Sequence, residues 1–486
     1  MRFLFKRRLR LVGAIGAVVL LISLTAKCVV QFQLNREIEH YRTFFRKHKD
    51  NIHDIYDPLN IKQIPYETIE SLYQLRKTGD VPKKSPIDWG KYAYINYVTD
   101  ADYLCTSLLQ FKRLKEFGTK AKLVLLISSN LLEAENPKIS ENKQLLEKFQ
   151  EVAPTQVLIK EVENIIKPHD YSPWNKSFTK LLVFNQTEFD RIVYLDNDAG
   201  VYNHMDELFF LPDYVKFAAP LTYWFVSERD LEIANSEVSS EEKSSIKLNR
   251  YIDTLATRVK EKRPIYNHLP SLPSSLFMGT KDVAKEIIES TSSASPLFNL
   301  RNKNKNAKVK FASNLMVIKP SAETFNAIVN TLLPRIANKK EKYDMDLINE
   351  GLYDLRKIIY HQFKLFRKLK TEFVPEVLSL PFGSYGLLTG SIRNEFHHTL
   401  MANDILGYER TKEKDQVPLE SLIKKSKYIH YSDYPMSKPW AYSSFDHLKC
   451  NPQDADAESE DVKAEMCKCW NSVYQDYWDS KHFCTL

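Results

Sequence analysis

The sequence predicts an α/β fold built on a mostly parallel, mixed sheet, and three observations carry that expectation. Tyr92–Thr99, an amphipathic stretch from Tyr103 to Phe117 and Lys122–Ser128 read as strand, helix and strand, a unit that makes its two strands parallel. Strand-like and helix-like stretches go on alternating through Pro154–Lys160 and Ser177–Phe184. The run then reaches Arg191-Ile192-Val193-Tyr194-Leu195-Asp196-Asn197-Asp198, a buried-strand pattern that ends in two carboxylates. Alternate residues of an extended chain point the same way. Asp196 and Asp198 are therefore expected to converge just beyond the carboxyl end of a strand, where open α/β sheets bind ligands. Two hard oxygen ligands with open positions suit Mg²⁺ or Mn²⁺ on a diphosphate. Asp-x-Asp occurs four times, at 100/102, 196/198, 344/346 and 454/456, and only the pair at 196 follows a clean apolar strand.

In chain order, Arg2, Lys6, Arg7, Arg8 and Arg10 supply five of the seven excess positive charges. The rest of the chain is nearly balanced and carries no nucleic-acid footprint. Residues 1–10 read as a cytoplasmic tail and 11–30 as a transmembrane signal anchor, Leu11 to Val30 being nearly all apolar with Lys27 near the far end. The positive flank predicts a cytosolic N-terminus and a lumenal remainder, a type II membrane protein. A cleaved signal peptide is the competing reading, and Ser23-Leu24-Thr25-Ala26-Lys27 offers no strong cleavage site for it. Residues 31–90, polar and charged, read as a lumenal stem closing in Pro82-Lys83-Lys84-Ser85-Pro86. Residues 91–486 form the lumenal catalytic domain.

Within that domain, 227–262 is charged and reads as a helical surface insertion, Phe311–Ile318 as a strand and 399–425 as loop-rich. Hydrophobic residues make up 43% of the chain, enough for a large core. Gly-x-Gly-x-x-Gly and Gly-Lys-Ser/Thr loops are absent, which excludes the dinucleotide and P-loop readings. Of six cysteines, Cys450, Cys467, Cys469 and Cys484 cluster at the C-terminus. One or two disulfides pinning this tail fit a lumenal compartment, with connectivity left open. Asn175-Lys176-Ser177 and Asn185-Gln186-Thr187 are glycosylation sequons, and His397-His398 is taken as structural.

Several further motifs, in order, resemble glycosyltransferase family 8, the glycogenin-like fold. Thr99-Asp100-Ala101-Asp102-Tyr103 is similar to the family's Thr-x-x-x-Tyr turn, and Phe178-Thr179-Lys180-Leu181 to its Thr-Lys-Leu. Met205-Asp206-Glu207-Leu208-Phe209 and Phe217-Ala218-Ala219-Pro220 follow in register, and Ser313-Asn314-Leu315-Met316-Val317 is a looser match lacking the family's glycine. Asp344-Met345-Asp346-Leu347-Ile348-Asn349 resembles Asp-Gln-x-Leu-Leu-Asn, with Met345 where the glutamine belongs; His430 with Lys438-Pro439-Trp440 resembles His-x-Gly-x-x-Lys-Pro-Trp. The resemblance implies a GT-A fold, a metal held by Asp196, Asp198 and His430, and a nucleotide on Thr99, Tyr103, Lys180 and Lys438. It makes Asp344 and Lys180 the catalytic candidates. The nearest group within the family consists of fungal Golgi N-acetylglucosaminyltransferases. That likeness implies transfer of N-acetylglucosamine from UDP-N-acetylglucosamine to terminal mannose of N-linked, mannan-type glycans at the Golgi membrane, with Mn²⁺ (or Mg²⁺) and retention at the anomeric carbon. A related enzyme using another UDP- or GDP-sugar, or a silent glycan-binding Golgi protein, stays open as an alternative.

Overall fold

The computed structural model describes residues 13–26, 28, 29, 32, 36, 40, 43, 61–78, 86–172, 174–241, 248–277, 308–353, 377–408 and 417–485. The central element is a seven-stranded sheet. Its strands are β1 (Tyr92–Val98), β2 (Lys122–Ser128), β3 (Val157–Val162), β4 (Arg191–Leu195), β6 (Phe217–Pro220), β7 (Leu315–Ile318) and β8 (Val377–Leu380). They lie in the order β3-β2-β1-β4-β7-β6-β8. β7 alone runs antiparallel, between β4 and β6, and the remaining pairings are parallel. The expected mixed, mostly parallel α/β sheet is what forms. A second sheet joins β5 (Ala199–Val201), β10 (Tyr428–His430) and β9 (Leu387–Leu388), with β10 in the middle.

Side-chain alternation explains why these strands are apolar throughout. Ala93, Ile95, Val124, Leu126, Ile192 and Tyr194 enter the core on one face. Tyr94, Leu123, Leu125, Ile127, Val193 and Leu195 enter the core on the other. A strand covered on both sides keeps no polar face. Asn96 and Arg191, two polar residues that interrupt these strands, are both buried and hydrogen-bonded.

The transmembrane anchor assigned to 11–30 is corrected: among the described residues no helix is long and apolar enough to cross a membrane. Among the described residues the unbroken helical run is 13–26, ~21 Å at 1.5 Å per residue against a ~30 Å hydrocarbon core. The tail assigned to residues 1–10 and the linker end before Pro86 lie outside the described residues.

Part of the segment read as a stem belongs to the folded domain. Ile61, Ile64 and Ile69 are at most 2% exposed, and Tyr73 of the helix Tyr66–Lys77 stacks on Phe210 with centroids 5.5 Å apart. Next to this helix, Ile64 N–H donates to Ser379 (3.0 Å) and Ser379 N–H to Lys62 (3.0 Å), so the chain covers the open edge of β8. An exposed edge strand invites unwanted pairing. The apolar residues at 61, 64, 69 and 73 carry this packing; the surrounding charge concealed it.

The insertion at 227–262 forms helices Glu228–Glu241 and Leu248–Lys260, and it is more than a solvated surface. Leu255 and Val259 are buried in the core. The disulfides are Cys105–Cys484 and Cys450–Cys467, while Cys469 is a buried free thiol. The C-terminal helix Glu460–Lys481 is thereby tied at its far end to the helix Asp102–Glu116 that follows β1. Asn185 is exposed, whereas Asn175 is half-buried with its amide on the Asp170 carbonyl.

Candidate active site

The site begins where β4 ends. Ile192, Val193, Tyr194 and Leu195 hold the strand in the core, and at Asp196 the chain leaves it, the Asp196 N–H donating to the Asn314 carbonyl at 2.8 Å. Asp196 and Asp198 face the same side and Asn197 faces back into the protein, 6% exposed. That inward residue fixes the turn. Its amide donates to the Tyr97 carbonyl and its carbonyl oxygen accepts from Asn96 at 3.0 Å. Gln110, on the helix after β1, shares its amide hydrogens among the carbonyls of Asp196 (2.8 Å), Asn197 (3.2 Å) and Ala199 (2.8 Å). Asn96 donates to the Gln110 oxygen at 2.8 Å. The Tyr428 hydroxyl reaches the Asp196 and Asn314 carbonyls from the opposite side, at 3.1 and 2.9 Å.

β5 continues directly from this turn and pairs antiparallel with β10, placing His430 opposite Ala199. This pairing spans more than two hundred residues of sequence. His430 Nε2 lies 2.9 Å from Asp198 Oδ1, and the Tyr431 N–H donates to the Asp198 carbonyl at 2.8 Å. One ligand atom from each of Asp196, Asp198 and His430 lies within 4.8 Å of the others. Two carboxylates and an imidazole are a donor set suited to a divalent metal ion. The buried His430 Nδ1 hydrogen-bonds to no described group.

Three cations or hydroxyls complete the surroundings. Lys438 Nζ lies 2.7 Å from Asp198 Oδ2. Lys180, 5% exposed, lies 3.0 Å from Asp196 Oδ1 and 2.9 Å from Asp344 Oδ2. The Ser313 hydroxyl donates to the same Asp344 oxygen at 3.0 Å. Burial works against the charge on Lys180, but Asp196 and Asp344 outweigh it and hold the ammonium above its usual range. The two aspartates diverge. Burial opposes ionisation of Asp198, yet His430 and Lys438 prevail and hold it well below the carboxylate range. For Asp196, burial and the nearby Asp198 charge outweigh Lys180, and its pKa is raised.

Tyr103 meets Trp440 edge-to-face with centroids 5.0 Å apart, so the aromatic turn after β1 and the Lys-Pro-Trp segment converge on one side. Burial, then the Asp198 and Asp196 charges, push the Tyr103 phenol up. Thr99 is half-buried at the end of β1, its carbonyl 3.4 Å from Lys176 Nζ. Asp346 points away from Lys180: it pairs with Lys342 (3.1 Å) and Lys310 (3.5 Å) and accepts from the Tyr343 N–H. It is thus a helix-start residue that leaves the place of Met345 unfilled. Asn349 pins this motif by exchanging two hydrogen bonds with the Phe311 backbone, at 2.7 and 2.8 Å. Of the other Asp pairs, Asp100 accepts from the Asp102 N–H at the start of the helix Asp102–Glu116, and Asp454 accepts from the Asn451 N–H at the end of a single helical turn.

Asn96, Gln110, Tyr428 and Ser313 did not stand out in the sequence as site residues. Two of them carried a signal. Gln110 interrupts the apolar face made by Leu104, Leu108, Phe111 and Leu114, and Asn96 sits in the middle of an otherwise apolar strand. A polar amide in such a place must find buried partners.

No family model matches the chain. It is 52% identical over 492 residues to Glucose N-acetyltransferase 1 of Candida glabrata, a match covering 100% of this chain and 97% of that protein. It is also 52% identical over 495 residues to Glucose N-acetyltransferase 1 of Saccharomyces cerevisiae, covering 100% of both. Among solved structures it overlays the apo form of the bifunctional glycosyltransferase WbbM at 15% identity and a TM-score of 0.37, covering 81% of this chain and 52% of that one.

Proposed function

The chain belongs to the glucose N-acetyltransferase 1 family and is a hexosyltransferase, and from that premise we propose that it moves N-acetylglucosamine from UDP-N-acetylglucosamine to a terminal mannose of N-linked, mannan-type glycans. The observation that carries the reading is the convergence of Asp196, Asp198 and His430 beside Lys180 and Asp344. Asp196, Asp198 and His430 would hold Mn²⁺, and a bound ion supplies Lewis-acid charge to the diphosphate leaving group. The protein's own groups do the rest. Lys438 and Lys180 place ammonium charge at the two ends of the aspartate pair, where phosphate charge grows as the sugar bond breaks. Tyr103, against Trp440, offers its ring to the uracil. Asp344, fixed by Lys180 and Ser313, is the carboxylate positioned for the transferring sugar or the acceptor hydroxyl, in a reaction that retains the anomeric configuration.

The Golgi lumen is the proposed compartment. Two disulfides in the described residues support an oxidising environment. A panel of UDP- and GDP-sugars offered to the purified protein with a mannose-terminated acceptor tests the donor assignment. The expected result is a clear preference for UDP-N-acetylglucosamine. Preference for UDP-glucose or a GDP-sugar would remove that assignment, and turnover of no donor would favour a silent glycan-binding protein.

A further inference from the structure

The loop between β3 and the helical turn Ser177–Asn185 leaves two large rings in solvent, Tyr171 at 97% and Trp174 at 63% exposure. On either side of Pro173, which lies outside the described residues, hydrogen bonds tie the loop down. Lys167 N–H donates to the Asn175 carbonyl at 2.7 Å, Ile165 N–H to the Thr179 hydroxyl at 3.0 Å, and Ser172 N–H to the Asp170 carboxylate at 2.8 Å. Trp174 lies 5.8 Å from the ring of Tyr343, inclined by 57°. Tyr343 is anchored in turn, its hydroxyl 3.0 Å from that of Ser172 and its ring 4.3 Å beneath Lys167 Nζ.

Tyr343 directly precedes Asp344. Lys438 meets Asp198, Asp196 shares Lys180 with Asp344, and the ring of Tyr343, the residue before Asp344, meets Trp174; Tyr103 stands at the Lys438 end, against Trp440. Nucleotide chemistry occupies that end. The other is an aromatic strip that starts one residue from the candidate catalytic carboxylate and runs outward into water. A pyranose ring presents C–H bonds on its faces and hydroxyls on its rim, and an aromatic face is the complementary surface for those C–H bonds. Rigidly held aromatics also bind at low entropic cost.

We propose that Trp174 and Tyr343, with Tyr171 exposed on the same loop, form the acceptor subsite, a platform for a neutral saccharide such as the mannose units of the glycan. The assignment rests on the transferase reading above. It makes Trp174 and Tyr171 binding residues for the acceptor and leaves the nucleotide to the opposite end of the site.

The test uses the full chain carrying Trp174→Ala, Trp174→Phe or Tyr171→Ala. Acceptor KM and UDP affinity are measured for each, and mannotriose binding is measured directly by saturation-transfer NMR. Trp174→Ala is expected to raise the acceptor KM about tenfold, equivalent to ~1.4 kcal/mol, with UDP affinity unchanged. Trp174→Phe is expected to recover most of that loss. Tyr171 is so exposed that its removal cannot compromise folding, and a smaller rise in acceptor KM is expected there. An acceptor KM within twofold of wild type in both alanine variants overturns the subsite. A parallel loss of UDP affinity overturns it too, because the loop would then serve the donor. So does a Trp174→Ala variant that abolishes self-association while binding mannotriose normally, which would make the strip a contact between copies. Should the wild type transfer no sugar, the transferase reading fails first. Mannotriose binding that disappears in Trp174→Ala would still uphold the platform, and its persistence there would dismiss it.

Discussion

Replacing Gln110 by leucine removes a side chain that holds three carbonyls of the turn carrying Asp196 and Asp198. The amide faces the carbonyls of Asp196, Asn197 and Ala199, and its own oxygen takes the Asn96 amide. Leucine fills a similar volume and satisfies none of them; Asp196 keeps the Tyr428 hydroxyl and Asn96 keeps its bonds to Leu195 and Asn197, so the carbonyls of Asn197 and Ala199 lose this partner. Each buried polar group left without a partner costs ~1–3 kcal/mol. Relaxation of the turn recovers part of that, so the expected loss is on the order of 3 kcal/mol, within the ~5–15 kcal/mol that stabilises a typical domain. Relaxation is also what should move the two aspartates, and loss of such supporting contacts typically costs 10–100-fold in metal affinity. Mn²⁺ affinity, read by titration calorimetry at a temperature where circular dichroism shows the variant folded, should therefore fall at least about tenfold. Gln110→Glu should fare no better, because it sets a carboxylate against those carbonyls. Unchanged Mn²⁺ affinity in a folded Gln110→Leu protein would refute the idea that this network aims Asp196 and Asp198.

Two further predictions concern single groups. Asp198→Asn keeps the shape of the side chain that meets His430 and Lys438; it should abolish metal-dependent turnover while the far-ultraviolet spectrum stays unchanged. Turnover retained in that variant would move the metal elsewhere. His397 is pushed down to about 4 by burial and then by His398, with Asp456 opposing. The unfolded chain therefore takes up the proton first as pH falls. The stability that neutral His397 contributes is complete above pH ~6.5 and is lost progressively down to pH ~4, on the order of 3 kcal/mol in all. Urea titrations at pH 7.5 and 4.5 should show His397→Gln losing less stability across that interval than wild type. An equal loss would place the sensitivity in other groups.

What the sequence disclosed follows the range of each signal. Strand alternation and the β-helix-β opening are local, and the mixed sheet they imply is the one observed. The Asp pair was legible because Ile192–Leu195 makes it the end of a buried strand. His430 was reachable only through its motif, since the pairing of β10 with β5 leaves no local trace. The turn's supports were harder still. Gln110 and Asn96 reveal their purpose only when the helix after β1 lies against the end of β4. Composition misled at the N-terminus twice. The apolar run at 11–30 suggested a membrane span, whereas among the described residues no helix is long and apolar enough to make one. The charges around Ile61, Ile64, Ile69 and Tyr73 suggested a stem where the chain packs into the core. The pairing of Cys105 with Cys484 escaped because Cys105 stands far from the C-terminal cysteines in sequence.

The most direct test of the central claim is the metal dependence of N-acetylglucosamine transfer itself. Chelated protein is given UDP-N-acetylglucosamine and a mannose-terminated oligosaccharide, with and without added Mn²⁺, and the products are weighed by mass spectrometry. An acceptor heavier by one N-acetylhexosamine residue is expected only when Mn²⁺ is present. Equal product in the chelated sample, or none in either, would contradict the claim.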